Sequence, residues 1–313
     1  ALYAASCAAT DYLAECILNR STFHLEDHLK IIKESTRKTK EKNEANYKST
    51  SASLKVSDLL SQNQKRSLTK VGTGRFLAVN PSYLNGFVLT ADEFRSGLHI
   101  RYDLEPENLI RKCDGINMKG KACHAEFSVD HAFECKTGGH ITAAHDDVRD
   151  TLFDFFTQTY PASQCMKEPI VKNDCPELPE DAVYVTNGES TIHLQRANQL
   201  RGDIAVQSFW AKGSLAIFDV RRCHTNAPSL KKAFSSPAKA LANAEKIKKD
   251  KYLKHCLRKN WHFSPFVVSI DGMLGVEASM VLKKIAEDQA AKMDVPKSVV
   301  INWLRTQISF ASL

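Results

Sequence analysis

Apolar and polar positions recur along this chain with more than one period, and the changes of period mark its elements. Residues 2–18 place Ala5, Ala9, Tyr12, Leu13, Cys16 and Ile17 at helical spacing. A second helical stretch begins near Leu25, with Leu29 and Ile32 on one side. Residues 33–53 then carry almost no apolar side chain. They read either as a solvated helix end and linker or as a basic arm lying on phosphates. A second unit starts near Val71, with turns at Asn80-Pro81 and Asn85-Gly86. Thr90 and Glu93 have capping-box spacing and open a helix with Phe94, Leu98 and Tyr102 along one face. A helix from about 146 turns Val148, Leu152, Phe155 and Phe156 inward, and strands follow near 203–209 and 215–221. In the second strand, period two puts Asp219 and Arg221 on one face and Ala216, Phe218 and Val220 on the other. A Lys-rich helix from Pro237 buries Ala240, Ala244 and Ile247; a buried strand, Pro265–Ile270, and helices near 275–292 and 297–310 complete the chain. Residues 172–200, polar and without period, read as an insertion loop. Mixed helices and strands predict an α/β fold.

Composition narrows the class. The 313 residues are enough for two units, and 43% apolar content is ordinary for a globular protein. No uncharged apolar run reaches the roughly 18 residues of a membrane span. The apolar N-terminus carries Asp11 and Glu15 and lacks a basic start, so it does not read as a signal peptide. A beginning at Ala1 without Met suggests a piece of a longer protein. Nine cysteines without a secretory signal favour a reducing, nuclear or cytoplasmic setting over a disulfide framework. The net charge of +7 fits nucleic-acid contact but does not by itself argue for it.

Three clusters carry candidate chemistry. Cys113, Cys123, His131 and Cys135 supply three thiolates and one imidazole, a donor set that completes a tetrahedral zinc shell. The nine-residue first gap is long for a compact knuckle, and Gly115 and Gly120 would let it bulge outward; His124 and His140 are spare donors. The other reading is three reduced cysteines that happen to lie close together. In the second cluster, Arg201-Gly202-Asp203 precedes Asp219-Val220-Arg221. Carboxylates on neighbouring strands suit a divalent cation that activates water for phosphoryl chemistry, with a nearby Arg or Lys neutralising developing charge. Strand-end aspartates that cap loops are the alternative. The third cluster, residues 245–252, places Lys246, Lys248, Lys249 and Lys251 on one helix, either as a solvated face or as a grip on phosphate.

Together these residues resemble a known arrangement. The segment KCDGINMKGKACHAEFSVDHAFECKTGGHITAAHDDVRD is similar to the zinc-knuckle-to-helix passage that follows the polymerase of non-LTR retrotransposons. RGDIAVQSFWAKGSLAIFDVRR is similar to the Lys/Arg-Pro-Asp, spacer and Asp/Glu strand of their restriction-enzyme-like endonuclease, a member of the PD-(D/E)XK class. Lys248-x-x-Lys251-Tyr252 resembles the Lys-x-x-Lys-Tyr element of the same proteins. The match covers roughly residues 70–270 and, weakly, 1–20. Gly202 stands where proline is usual, Ala144-His145-Asp146 where Arg-His-Asn is usual, and Arg221 where many such nucleases have lysine. An arginine stays charged and is no base, so the lysine role passes to Lys248 or Lys251.

The resemblance implies a helical segment and basic linker ending a polymerase region (1–70), a connector with a zinc knuckle (71–145), and a nuclease core (146–313) of mixed sheet flanked by helices. It implies a nuclease that nicks target DNA for retrotransposition. Asp203 and Asp219 would hold Mg²⁺, Arg221, Lys248, Lys251 and His145 would serve catalysis, and Cys113, Cys123, His131 and Cys135 would hold Zn²⁺. Arg201, Arg222, Lys246 and Lys249 would contact nucleic acid. The implied partners are target DNA and the element's RNA, with no membrane. A catalytically degenerate nucleic-acid-binding module of the same element is the second expectation.

Overall fold

A computed structural model describes residues 72–173, apart from 103, 105, 107, 108 and 118, and residues 199–313. Upstream it describes only Lys30, Lys33, Glu34, Arg37, Lys38, Glu41, Lys42 and Ala45. The chain divides into two units, Ala1–Ser61 and Gln62–Leu313. In the first, the described residues are helical and exposed, with i,i+4 ion pairs Glu34–Lys38 and Arg37–Glu41. The helix expected over 2–18, and most of the polar stretch after it, lie outside the described residues.

In the second unit the helices are α1 (Arg75–Ala78), α2 (Ala91–Tyr102), α3 (Val129–Glu134), α4 (His140–Thr159), α5 (Pro228–Ala233), α6 (Pro237–Arg258), α7 (Val276–Met293) and α8 (Lys297–Ala311). The strands are β1 (Cys165–Lys167), β2 (Ile170–Asn173), β3 (Gln199–Arg201), β4 (Ile204–Gln207), β5 (Leu215–Cys223) and β6 (His262–Ser269). A four-stranded mixed sheet runs β1-β4-β5-β6; its first two pairings are antiparallel and the last is parallel. β2 and β3 form a separate antiparallel pair. The protein is therefore a mixed α/β fold. Among the described residues no helix is long and apolar enough to cross a membrane.

β5 explains the layering. Ala216, Phe218 and Val220 join Ile204, Val206, Phe266 and Val268 in a core closed by α4, α7 and α8. Ile217 points the other way, with Ala205 and Phe263, against Tyr252 and Cys256 of α6. The period-two alternation of β5 thus separates two cores, and both of its faces are buried. The Phe156 ring of α4 lies tilted at 4.8 Å from Phe218, and Phe209 meets both rings edge-on. Pro265 sits in β6, an edge strand, where proline is tolerated better than in a central one.

Caps set several helix ends. Thr90 and Glu93 form the expected box: the Glu93 carboxylate accepts from Thr90 N at 2.7 Å, and Thr90 Oγ1 accepts from Glu93 N at 3.2 Å. Ser236 and Pro237 start α6 in the same way that Ser–Pro pairs start helices generally. The N-terminus of α7 has Gly275 as its cap residue, and its amide at Glu277 is satisfied across the fold by Glu245 of α6 at 2.9 Å.

Two packing expectations are corrected. α2 does not bury a Phe94–Leu98–Tyr102 face, since Phe94 and Tyr102 are exposed; it packs through Gly97, where a Cβ would come within 2.5 Å of the Phe76 ring. On α6, Ile247 is exposed, and the inward stripe is Ala240, Ala244, Lys248, Tyr252 and Cys256. α4, the helix expected from about 146, begins at His140. The ends of the expected 172–200 loop belong to β2 and β3, and 174–198 lies outside the described residues.

Gly202 has a structural reason. Its N–H donates to Pro169 O at 3.0 Å, and a Cβ there would sit 2.6 Å from Ile217 Cγ2. Proline would lose the bond and overpack the α6-side core. Gly202→Pro should lower stability by about 1–3 kcal/mol, measured by thermal melting. In an Ile217→Ala background the same substitution should cost less, because the crowded methyl is gone. An unchanged melting temperature for Gly202→Pro would contradict this packing.

Candidate functional site

The carboxylates meet because Asp203 is tied to both neighbours of Asp219. Asp203 N donates to Phe218 O at 2.9 Å, and Val220 N donates to Asp203 Oδ2 at 2.5 Å. β4 begins one residue after Asp203, in register with Ile204 opposite Phe218. Asp219 is on the α6 side of β5, only 3% exposed. There the Lys248 ammonium forms an ion pair with Asp219 Oδ2. Tyr252, one helical turn further along α6, donates its hydroxyl to Arg201 O at 2.8 Å. Burial raises the Asp219 pKa, Lys248 opposes this, and the neighbouring Asp203 charge adds to it. Burial and the two aspartates also push the Tyr252 phenol up. A carboxylate that is desolvated, beside a second one and held by a single ammonium, is a strongly perturbed group in a polar cluster.

α4 brings the fourth side of the site. His145 Nε2 lies 3.4 Å from Asp203 Oδ2, and its Nδ1 lies 3.1 Å from Asp146 Oδ1. Its hydrogen bond to Asp203 outweighs partial burial and raises its pKa to about 9. The imidazole is therefore cationic at neutral pH. Asp146 also binds Arg149 at 2.9 Å, and Arg149 binds Asp150 at 2.8 Å, which accepts from Lys167 at 3.0 Å. The first turns of α4 thus carry an alternating chain of charges that ends on Asp203.

The expected site residues divide sharply in place. Asp203, Asp219, Lys248 and His145 are brought together. Lys251 is exposed, with Nζ 4.9 Å over the Tyr252 ring. Arg221 turns along its strand to the Cys223 thiol. Arg201 donates to Glu168 O at 3.1 Å and to Gln199 Oε1 at 2.5 Å. Lys249 pairs with Glu277, and Lys246 is exposed. Arg222 has a structural job: it donates to Ser312 O at 3.0 Å and to Leu313 O at 3.2 Å, and lies 5.6 Å from the Phe133 ring centre. Burial lowers its pKa to about 10, which leaves it charged. Tyr252 and Asp146, which stand in the motifs without a role, join the site, and Arg149 joins it too. The i,i+4 step from Lys248 to Tyr252 and the His145, Asp146, Arg149 spacing were the available signals.

A second site lies before α4. Lys112 bridges Glu126 and Ile116 bridges Ala122, so the nine-residue gap is an antiparallel hairpin. Its turn is held by Asn117 Oδ1, which accepts from Lys119 N and Lys121 N, with Gly120 at φ 75°. The hairpin carries Cys113 and Cys123, whereas His131 and Cys135 lie on α3 and at its C-cap. Ser128 caps α3 by accepting from His131 N at 3.1 Å. All four donor atoms lie within 4.8 Å of one another. Cys113 Sγ is 3.7 Å from Cys135 Sγ, and Cys123 Sγ is 3.5 Å from His131 Nε2. Tetrahedral zinc, with Zn–S near 2.3 Å and Zn–N near 2.0 Å, needs edges of about 3.8 and 3.5 Å. The cluster could therefore hold a metal ion such as zinc. Gly115 does not bulge outward; its amide donates to Cys113 Sγ at 3.4 Å, and a Cβ would crowd that sulfur. The Ala125 amide lowers the Cys123 thiol pKa to about 7, which favours the ligating thiolate. His124 and His140 are exposed and outside the set.

No protein-family model matches this chain, and no curated protein matches it.

Two outcomes follow from this geometry. His145 should titrate near pH 9 by NMR, and Asp203→Asn should return it towards 6.5. Because its folded pKa is raised, its stabilisation is complete below about pH 6.5 and is lost as pH rises through about 9. A wild-type midpoint near 6.5 would contradict the Asp203 contact. At the cysteines, Co²⁺ titration should give one thiolate-to-metal absorption band per chain, weakened strongly by Cys135→Ala. Absence of that band in the reduced wild-type protein would contradict the tetrahedral arrangement.

Proposed function

We propose that this protein is a metal-dependent DNA endonuclease of the PD-(D/E)XK kind, from a non-LTR retrotransposon polyprotein, that nicks target DNA to prime reverse transcription. One observation carries the reading. Asp203 is fastened across Asp219 on the adjacent strand, and Lys248 reaches Asp219 from the following helix. The mixed sheet between helices, and a Cys/Cys/His/Cys knuckle ahead of α4, support the same assignment.

The donor set fits Mg²⁺. Both Asp203 contacts, from Val220 N and His145, use Oδ2, and the Lys248 pair uses Oδ2 of Asp219. Magnesium takes one or two carboxylates and completes its shell with water and phosphate oxygens. When bound, it supplies Lewis acidity towards the phosphate and a more acidic water. Lys248 then neutralises charge on the scissile phosphate, and cationic His145 orients a phosphate oxygen while keeping Asp203 ionised. Tyr252 positions the β3 end through Arg201 O. Zinc in the knuckle is structural, and target DNA and the element's RNA are the partners.

The Lys248–Asp219 pair also favours a second reading, because the ammonium already neutralises the carboxylate that a cation would use. On that reading the fold is a binding module that no longer cuts.

Supercoiled plasmid incubated with the zinc-loaded protein should be nicked with Mg²⁺ and not in EDTA. Asp219→Asn should reduce the rate by about 10² or more, with salt-dependent DNA binding retained. Binding without nicking, in Mg²⁺ or Mn²⁺, would reject the endonuclease in favour of the binding module.

A further inference from the structure

A cleft of about 240 Å³ opens beside the loop after β6, and none of its lining residues belongs to the carboxylate site or the knuckle. Arg75 and Arg305 line it together with Ser279, Gly72 and Gly272. Arg75 has a buried Nε without a hydrogen-bond acceptor. Its Nη1 reaches Asn302 Oδ1 only at 3.4 Å, the far limit of a hydrogen bond. Burial first, and the like charge of Arg305 second, lower the Arg75 pKa; no carboxylate contributes. Among the described residues neither guanidinium has an ion-pair partner.

Two guanidiniums sharing a cleft repel each other, and a buried donor without an acceptor is unfavourable. A multi-oxygen anion between them relieves both faults at once. Guanidinium forks match tetrahedral phosphate oxygens in pairs, and the Ser279 hydroxyl adds a neutral donor to the same space. Among the described residues, no atom lies within 4 Å of where a Gly72 Cβ would stand.

We propose that the cleft between Arg75 and Arg305 binds a phosphate group. The group comes either from a nucleic-acid backbone or from free phosphate, and the site stands whether or not the carboxylates cut DNA. The test is an NMR titration of the full chain that follows the Arg75 Nε–Hε resonance and the Gly272 and Met273 amides. The probes are inorganic phosphate and a short DNA duplex without terminal phosphates, each against chloride at matched ionic strength. Saturable shifts with the duplex alone identify a backbone phosphate, and shifts with inorganic phosphate identify a free-anion site; either supports the proposal. Arg305→Gln should weaken binding about tenfold and leave the fold intact by circular dichroism. Arg95→Gln, on exposed α2, should change nothing. If neither probe shifts these resonances beyond chloride, or if Arg305→Gln binds like wild type, the proposal fails.

Discussion

Much of this structure answers to one constraint: a carboxylate, Asp219, stands in the central strand where both faces are covered. An ionised group there needs a counter-charge, and removing one partner of a buried pair typically costs about 3–5 kcal/mol. Lys248 supplies it from α6. The helix must then lie with its 240, 244, 248, 252, 256 stripe against the sheet, which also buries Tyr252 over Phe263 in a stacked pair at 5.0 Å. The same placement brings Glu245 to the start of α7 and Lys249 to Glu277. Satisfying one charge thus helps set how three elements pack.

The knuckle and the carboxylate site are joined by α4. α3 and α4 are separated by a short turn containing Gly138 and Gly139, with Gly139 at φ 77°. His224, just past β5, lies 3.4 Å from Asp130 of α3 and packs on Phe133 at 5.1 Å. Arg222 ties the same aromatic ring to the end of α8. A metal held by this cluster would therefore also brace the end of the strand carrying Asp219 and the helix carrying His145. This coupling gives the knuckle a structural part in the site beyond any grip of its own.

Strongly periodic stretches were legible in the sequence. The interior residues of α4, the face alternation of β5, the box at Thr90 and the spans of α7 and α8 follow from spacing alone. β1, β2 and β3 were not legible, because strands of three or four residues offer too few positions for a period to show. Lys248 illustrates a deeper limit. Hydrophobicity favoured Ile247 as the inward residue, and only the distant Asp219 makes a lysine the better choice. Gly97 escaped for a related reason: its value lies in absent atoms, which the Phe76 ring fills. The pairing of Asp203 with Asp219 was readable from two short strands in sequence. The His145 contact was suggested by resemblance, and its charge chain through Asp146 and Arg149 needed the tertiary placement of α4. The nine-residue gap between cysteines looked long on a line and is short in space once Asn117 and Gly120 turn the hairpin.

On the proposed reading, Asp203 and Asp219 hold a divalent cation between Lys248 and His145. Mn²⁺ titration followed by water-proton relaxation tests it without requiring turnover. In zinc-loaded protein the account predicts one Mn²⁺ site, displaced by Mg²⁺, weakened strongly by Asp203→Asn or Asp219→Asn, and unchanged by Lys251→Gln. Mn²⁺ binding that is absent, or that survives both aspartate substitutions undiminished, would contradict it.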